Sequence, residues 1–124
     1  MALDASQNGR FEAVALPAAQ RKKLGIIAMK VTGQEFLLGG AAGKTNIDNL
    51  LCYSLSPPVS AAVIGMPHLD FISHNAELAR NFSPLPPAEL DNLRRQVGPS
   101  GAELEHRLVG HLDGPTAAGH PLWA

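Results

Sequence analysis

Two eight-residue apolar runs, residues 24–31 (LGIIAMKV) and 59–66 (VSAAVIGM), constrain this chain more than any other feature. Neither alternates apolar with polar residues, and near-continuous runs of this kind are strands covered on both faces, as in a parallel sheet. Each is followed by a turn or loop and then by apolar residues at helical spacing. After the first run, residues 33–43 read as a loop, and Thr45 is a suitable N-cap for a helix to about Ser54. Ile47, Leu50, Leu51 and Leu55 would face inward from that helix, which Pro57 and Pro58 end. Gly65 and Pro67 close the second run. A helix over residues 69–81 follows, with Phe71, Ile72, Asn75, Leu78 and Ala79 on one face.

The same alternation frames the rest of the chain. Residues 1–5 read as the end of another strand, and residues 11–23 as a helix starting near Pro17. Arg21, Lys22 and Lys23 suit the negative end of that helix, and Gly25 occupies the usual stop position. Residues 84–87 break the chain before a last amphipathic helix, 88–97 (AELDNLRRQV), with Leu90, Leu93 and Val97 inward. Residues 98–124 read as an irregular tail, helical in part over 102–108. Strands alternating with helices imply a parallel sheet with right-handed crossovers. The expected fold class is therefore α/β: a partial (β/α)8 TIM barrel of about three parallel βα units, plus a C-terminal helix and irregular tail. Residues 1–97 would form the βα units and 98–124 the tail. A full barrel takes about 250 residues, so the 124 present supply roughly half of one.

Composition narrows the partners. The chain is 45% hydrophobic, yet no apolar run is long enough to span a membrane. Its formal charge is −1, with Lys and Arg scattered, so no basic face offers itself to nucleic acid or an anionic membrane. The start lacks the basic and apolar pattern of a secretory leader. The single cysteine, Cys52, excludes an internal disulfide. A cytoplasmic location is expected.

Motif by motif, chemistry is sparse. Residues 39–45 (GGAAGKT) end like a triphosphate-binding loop, but that motif needs four residues between its first glycine and Gly-Lys-Thr. Gly39 leaves three, Leu38 stands where the glycine belongs, and the loop begins well after the strand. His68 and His74 lie six apart, without the spacing of a helical zinc site, and one cysteine gives no thiolate cluster. Ser54, Ser56 and Ser60 lack a glycine-flanked nucleophile elbow. The carboxylate pairs Asp70/Glu77 and Glu103/Glu105 read as solvated helix faces. Ligand positions in parallel α/β folds gather at strand C-termini, here residues 29–34 and 65–69.

Those segments carry a resemblance. Residues 21–34 (RKKLGIIAMKVTGQ) resemble the seventh-strand region of bacterial aldo/keto reductases, which often read kGiGvIaMKvlGqG. Residues 53–82 (YSLSPPVSAAVIGMPHLDFISHNAELARNF) resemble their eighth strand and following helix, with its LS.PVS.vivGm..leql.eN pattern. The start is similar to the end of the sixth strand (mALNAad), and residues 111–123 (HLDGPTAAGHPLW) to the terminal DGT..HPeWL. The likeness spans nearly the whole chain.

What it implies is a (β/α)8 barrel in which NADPH reduces aldehydes and ketones, the cofactor lying across the last strands' C-terminal ends. Carried over by position, Met29 would pack on the nicotinamide. Lys30, Thr32, Gly33 and Gln34 would line the pyrophosphate loop. Gly65, Met66, Phe71 and Asn75 would match the adenosine and 2′-phosphate region, with Asn75 bonded to an adenine edge. Three positions depart from the family: Glu35 replaces a common loop glycine and would oppose a pyrophosphate. Phe71 takes a place often polar or basic, and His74 replaces a frequent glutamate. The family's catalytic Asp, Tyr, Lys and His come from its first four strands, so no catalytic or metal-ligating residue is assigned here. Met1, falling within a strand, implies a truncated reading frame or a split or degenerate gene.

The expected function is thus a C-terminal fragment of an NADP-dependent oxidoreductase, inactive alone. Its partners would be the nicotinamide cofactor, a small carbonyl substrate, and either a complementing N-terminal half or further copies meeting its unpaired strand edges. The alternative is a non-catalytic barrel remnant serving as a binding or oligomerising module. An ATP-handling protein dependent on Lys44 ranks last.

Overall fold

Proline presets the backbone angle of a helix's first turn, and Pro17 is used there. In the computed structural model, which describes residues 10–112, a π-helical turn (Arg10–Ala15) runs into helix α1 (Leu16–Arg21). The stop lies at Lys23 rather than Gly25. Lys23 has φ 53°, and the Leu24 N–H donates across it to the Ala19 carbonyl at 3.0 Å. This closure satisfies carbonyls the helix end leaves orphaned, with lysine where glycine is usual.

Strand β1 (Ile27–Ala28) pairs in parallel with β2 (Ala61–Ala62), Ile27 opposite Ala61 and Ala28 opposite Ala62. Flanking bonds from the Ser60 N–H to the Ile26 carbonyl (2.7 Å) and the Val63 N–H to the Ala28 carbonyl (2.8 Å) lengthen the contact slightly. Between the strands runs α2 (Ile47–Leu55); α3 (Leu69–Arg80) and α4 (Pro87–Leu112) follow β2.

This architecture corrects the expectation of three parallel βα units of a TIM barrel. The described chain is mostly helical, with a single sheet of two two-residue strands. The physical reason lies in coverage. Ala28 and Val31 are buried, but Ile27 is 63% exposed, and Met29 and Val63 are each 55% exposed. The apolar runs are covered on one face only, and among the described residues neither strand has a second neighbour to lengthen the ladder. Beyond Ala28 the backbone leaves strand geometry altogether, since Lys30 has φ 56°. The strand expected over residues 1–5 lies outside the described residues, as does the tail from 113 to 124.

The core gathers Val31 and Leu37 from the segment after β1, Leu50 and Tyr53 from α2, and Leu93, Val97 and Leu104 from α4. The sequence places the end of the last helix at Val97, yet α4 continues through Pro99 to Leu112. An interior proline forfeits a helical hydrogen bond. The inward stripe nevertheless resumes beyond it at Gly101 and Leu104, both buried, and Leu104 packs on Gly33. Asn46, not Thr45, caps α2: its side-chain oxygen accepts from the Asn49 N–H at 2.9 Å. Thr45 is buried one step earlier, bridged to Leu38.

A closed polar network ties the N-terminal turn to α2 and α4. The Tyr53 hydroxyl donates to Glu12 Oε1 (2.6 Å) and accepts from Arg94 Nε (2.8 Å), while Arg94 Nη2 donates to Glu12 Oε2 (2.9 Å). Burial, then the bond to Glu12, pushes the Tyr53 phenol above its ordinary value. Burial works against the Arg94 charge, but the bond to Glu12 and its other partners outweigh it and raise its pKa. Among the described residues no helix is long and apolar enough to cross a membrane.

Candidate functional site

Residues that follow β1 and β2 enclose a cavity of about 1260 Å³, roomier than the ~300–1,000 Å³ of ordinary small-molecule sites. From the first segment come Met29, Lys30, Thr32 and Gln34; from the second come Gly65, Phe71 and Asn75. The fold thus brings together seven of the nine residues the sequence nominated, across the 30 positions between Gln34 and Gly65. Gly33 and Met66 are not in the lining. Gly33 is buried, with φ 57°; a Cβ there would collide with Leu104 and lie 3.1 Å from Leu37.

The first wall is strained. Lys30, Gln34 and Glu35 have φ values of 56°, 56° and 67°, a left-handed geometry costing about 1–2 kcal/mol per residue with a side chain. Bonds from the Gly33 N–H to the Lys30 carbonyl (2.9 Å) and the Leu37 N–H to the Thr32 carbonyl (3.2 Å) close the turns. Val31 and Leu37, 2% and 0% exposed, pin the segment to the core. Such outliers persist where the surroundings over-determine them, and they cluster at ligand sites.

Helix α3 supplies the second wall. Its expected apolar face is not buried: Phe71 and Ile72 are exposed, and Asn75 is the helix's one buried residue. Asn75 is 4% exposed, and its Oδ1 has no hydrogen-bond partner among the described residues. An acceptor buried in this way costs about 1–3 kcal/mol and is complementary to a ligand N–H. The N-terminus of α3 has His68 at its cap with no side-chain bond, and neighbouring Pro67 lines the cavity. Free helix N-termini favour anions. The His68 ring meets Phe71 edge-on at 5.4 Å, and farther along α3, His74 Nε2 lies 2.7 Å from Asp48 Oδ1 on α2.

Sequence reasoning missed a third wall: residues 38–47, Asn49 and Gln96 also line the cavity. The GGAAGKT loop was visible as a near-miss phosphate motif, but Gln96 arrives from α4 and carries no local signal. Cys52 sits apart from this lining. Burial first, then Asp48, raises its thiol pKa, which keeps it in the unreactive protonated form.

No family model matches the chain, and no curated protein or solved structure shows significant similarity to it.

Proposed function

We propose that the cavity binds a nicotinamide adenine dinucleotide phosphate, and that the chain is the cofactor-holding part of an oxidoreductase related to the aldo/keto reductases. The observation that carries this is the convergence of Met29, Lys30, Thr32, Gln34, Gly65, Phe71 and Asn75 on one cavity, where a resemblance alone had assigned them cofactor contacts. Asn75 adds a chemical reason, because its unpartnered oxygen suits the amino edge of adenine. Lys30 and the free end of α3 suit phosphate, and Met29 offers an apolar surface to the nicotinamide ring.

When bound, the cofactor supplies a hydride to a carbonyl carbon. The chain's own residues hold and orient it. Protonating the resulting alkoxide needs a positioned acid, and Tyr53 is not one: it is 2% exposed and locked between Glu12 and Arg94. The proton donor, and with it turnover of a small carbonyl substrate, belongs to residues outside this set. A cytoplasmic location goes with this function, in keeping with a lone, protonated thiol.

Calorimetric titration of the chain with NADPH and NADH tests the proposal. Saturable micromolar binding of NADPH, abolished by Asn75→Leu, is expected; heats no larger than dilution overturn it. The alternative, an oligomerising module, is favoured by the exposed apolar side chains of Ile27, Met29 and Val63, although Met29 and Val63 also line the cavity. It requires self-association in sedimentation without any cofactor binding.

A further inference from the structure

The loop over residues 39–44 fails as a triphosphate motif by spacing, yet the fold delivers it to the same cavity as Asn75 and Lys30. Its two ends are tied. The Thr45 N–H donates to the Leu37 carbonyl (3.0 Å), the Gly39 N–H to the Thr45 carbonyl (3.0 Å), and the Lys44 N–H to the Ala41 carbonyl (3.1 Å). From α4, Gln96 Nε2 donates to the Lys44 carbonyl at 3.0 Å. Gly43 has φ 79°, and Ser100 of α4 occupies the space its Cβ would need. Lys44 therefore stands on a fixed backbone, and its Nζ lies 5.3 Å from the centre of the Phe36 ring, which limits its side-chain freedom.

Charge gives this placement a purpose. Among the described residues the lining holds two cations, Lys30 and Lys44, against one carboxylate, Glu35, and so is locally positive in a chain of formal charge −1. Among the described residues neither lysine has an ion-pair partner. Glu35, with φ 67°, stands on the wall where it would repel a phosphate, so a phosphate-bearing ligand there needs a compensating cation.

We infer that Lys44 is the phosphate-binding residue of the cavity, holding the diphosphate of a nucleotide whose base reaches Asn75. The inference deepens the proposed cofactor function and rests on it for the identity of the nucleotide, but not for the phosphate contact itself. Lys44 offers three rotatable donors on a preset backbone, and its charge offsets that of Glu35.

The test uses the full chain and its variants Lys44→Gln and Lys44→Arg, titrated with NADPH, ATP, inorganic pyrophosphate and adenosine. Circular dichroism melts first establish that both variants fold as the parent does. For NADPH, Lys44→Gln should weaken binding about tenfold, the size of one lost charge-assisted contact. It should also flatten the salt dependence and leave adenosine unchanged, while Lys44→Arg restores most of the affinity. Binding of NADPH by Lys44→Gln within about twofold of the parent, at equal salt dependence, overturns the inference and leaves the cofactor proposal standing. The reverse pattern separates the two: ATP or pyrophosphate bound through Lys44 without NADPH binding upholds the phosphate contact and removes the nicotinamide cofactor. A parent chain that binds no phosphate compound overturns both.

Discussion

Two buried polar groups among the described residues, the Tyr53 hydroxyl and the Asn75 amide, are treated in opposite ways. Around Tyr53, the hydroxyl, the Glu12 carboxylate and the Arg94 guanidinium satisfy one another, joining segments 82 residues apart in sequence. At Asn75, an oxygen of a side chain just as deeply buried is left without a partner on a cavity wall. A closed network is complete in itself and fastens helices together. An open one costs stability until something arrives to complete it. The contrast marks the first as architecture and the second as a binding site.

Substitutions can break or sharpen that contrast. Tyr53→Ala removes both the ring from the core and the hub of the network, and should cost about 3–5 kcal/mol in urea unfolding. Gly33→Ala forces a methyl group against Leu104 and Leu37 beneath the strained wall; overpacking of that kind should cost about 1–3 kcal/mol by the same measurement. Tyr53→Phe keeps the ring and loses only the hydroxyl, for about 1–1.5 kcal/mol.

That last variant also isolates a pH effect. The folded phenol titrates above the unfolded one, so the folded state holds its proton more tightly. The resulting stability is fully present below the unfolded value of about 10 and declines as pH rises from there toward the folded value. Melting temperatures measured between neutral and strongly alkaline pH should therefore converge for the parent and Tyr53→Phe as pH climbs. Parallel curves would show that the hydroxyl is not held by the network.

Asn75→Leu should behave in the opposite sense. Removing an unsatisfied acceptor leaves the free protein within about 1 kcal/mol of the parent or slightly more stable, while ligand affinity disappears. A loss as large as that of Tyr53→Phe would mean that Asn75 is structural. The smallest effect belongs to His74→Ala. Its partner Asp48 and the imidazole are both about half exposed, so the pair contributes at most about 0.5 kcal/mol, and less in high salt.

Much of the local framework was legible. Thr45 read as a cap, Pro57 and Pro58, and the apolar spacing of α2 place that helix to within one residue at each end, although the cap itself is Asn46. The α3 helix ends one residue short of the expected Asn81. The order of strand, helix and strand was visible from two apolar runs, because strand and helix periodicities are local properties. The lengths of the strands were not, since ladder hydrogen bonds depend on neighbours elsewhere in the chain. Nor was the exposure of Ile27, Met29 and Val63, because an apolar run reads the same whether or not a partner covers it. Met29, Lys30, Gly65 and Asn75 were nominated from short patterns, but nothing local indicated that Asn75 alone on α3 would be buried.

By itself, then, the sequence determined where α2 and α3 run, that the two apolar runs lie side by side in parallel, and which residue types follow them. Turn chemistry, capping and periodicity act over a few residues and can be read there. Tertiary structure alone decided that α4 runs on past Pro99 to brace the strained wall, that Lys44 shares a cavity with Asn75, and that Glu12 meets Arg94. Those outcomes come from packing between distant segments, where burial and charge depend on neighbours that no local pattern names.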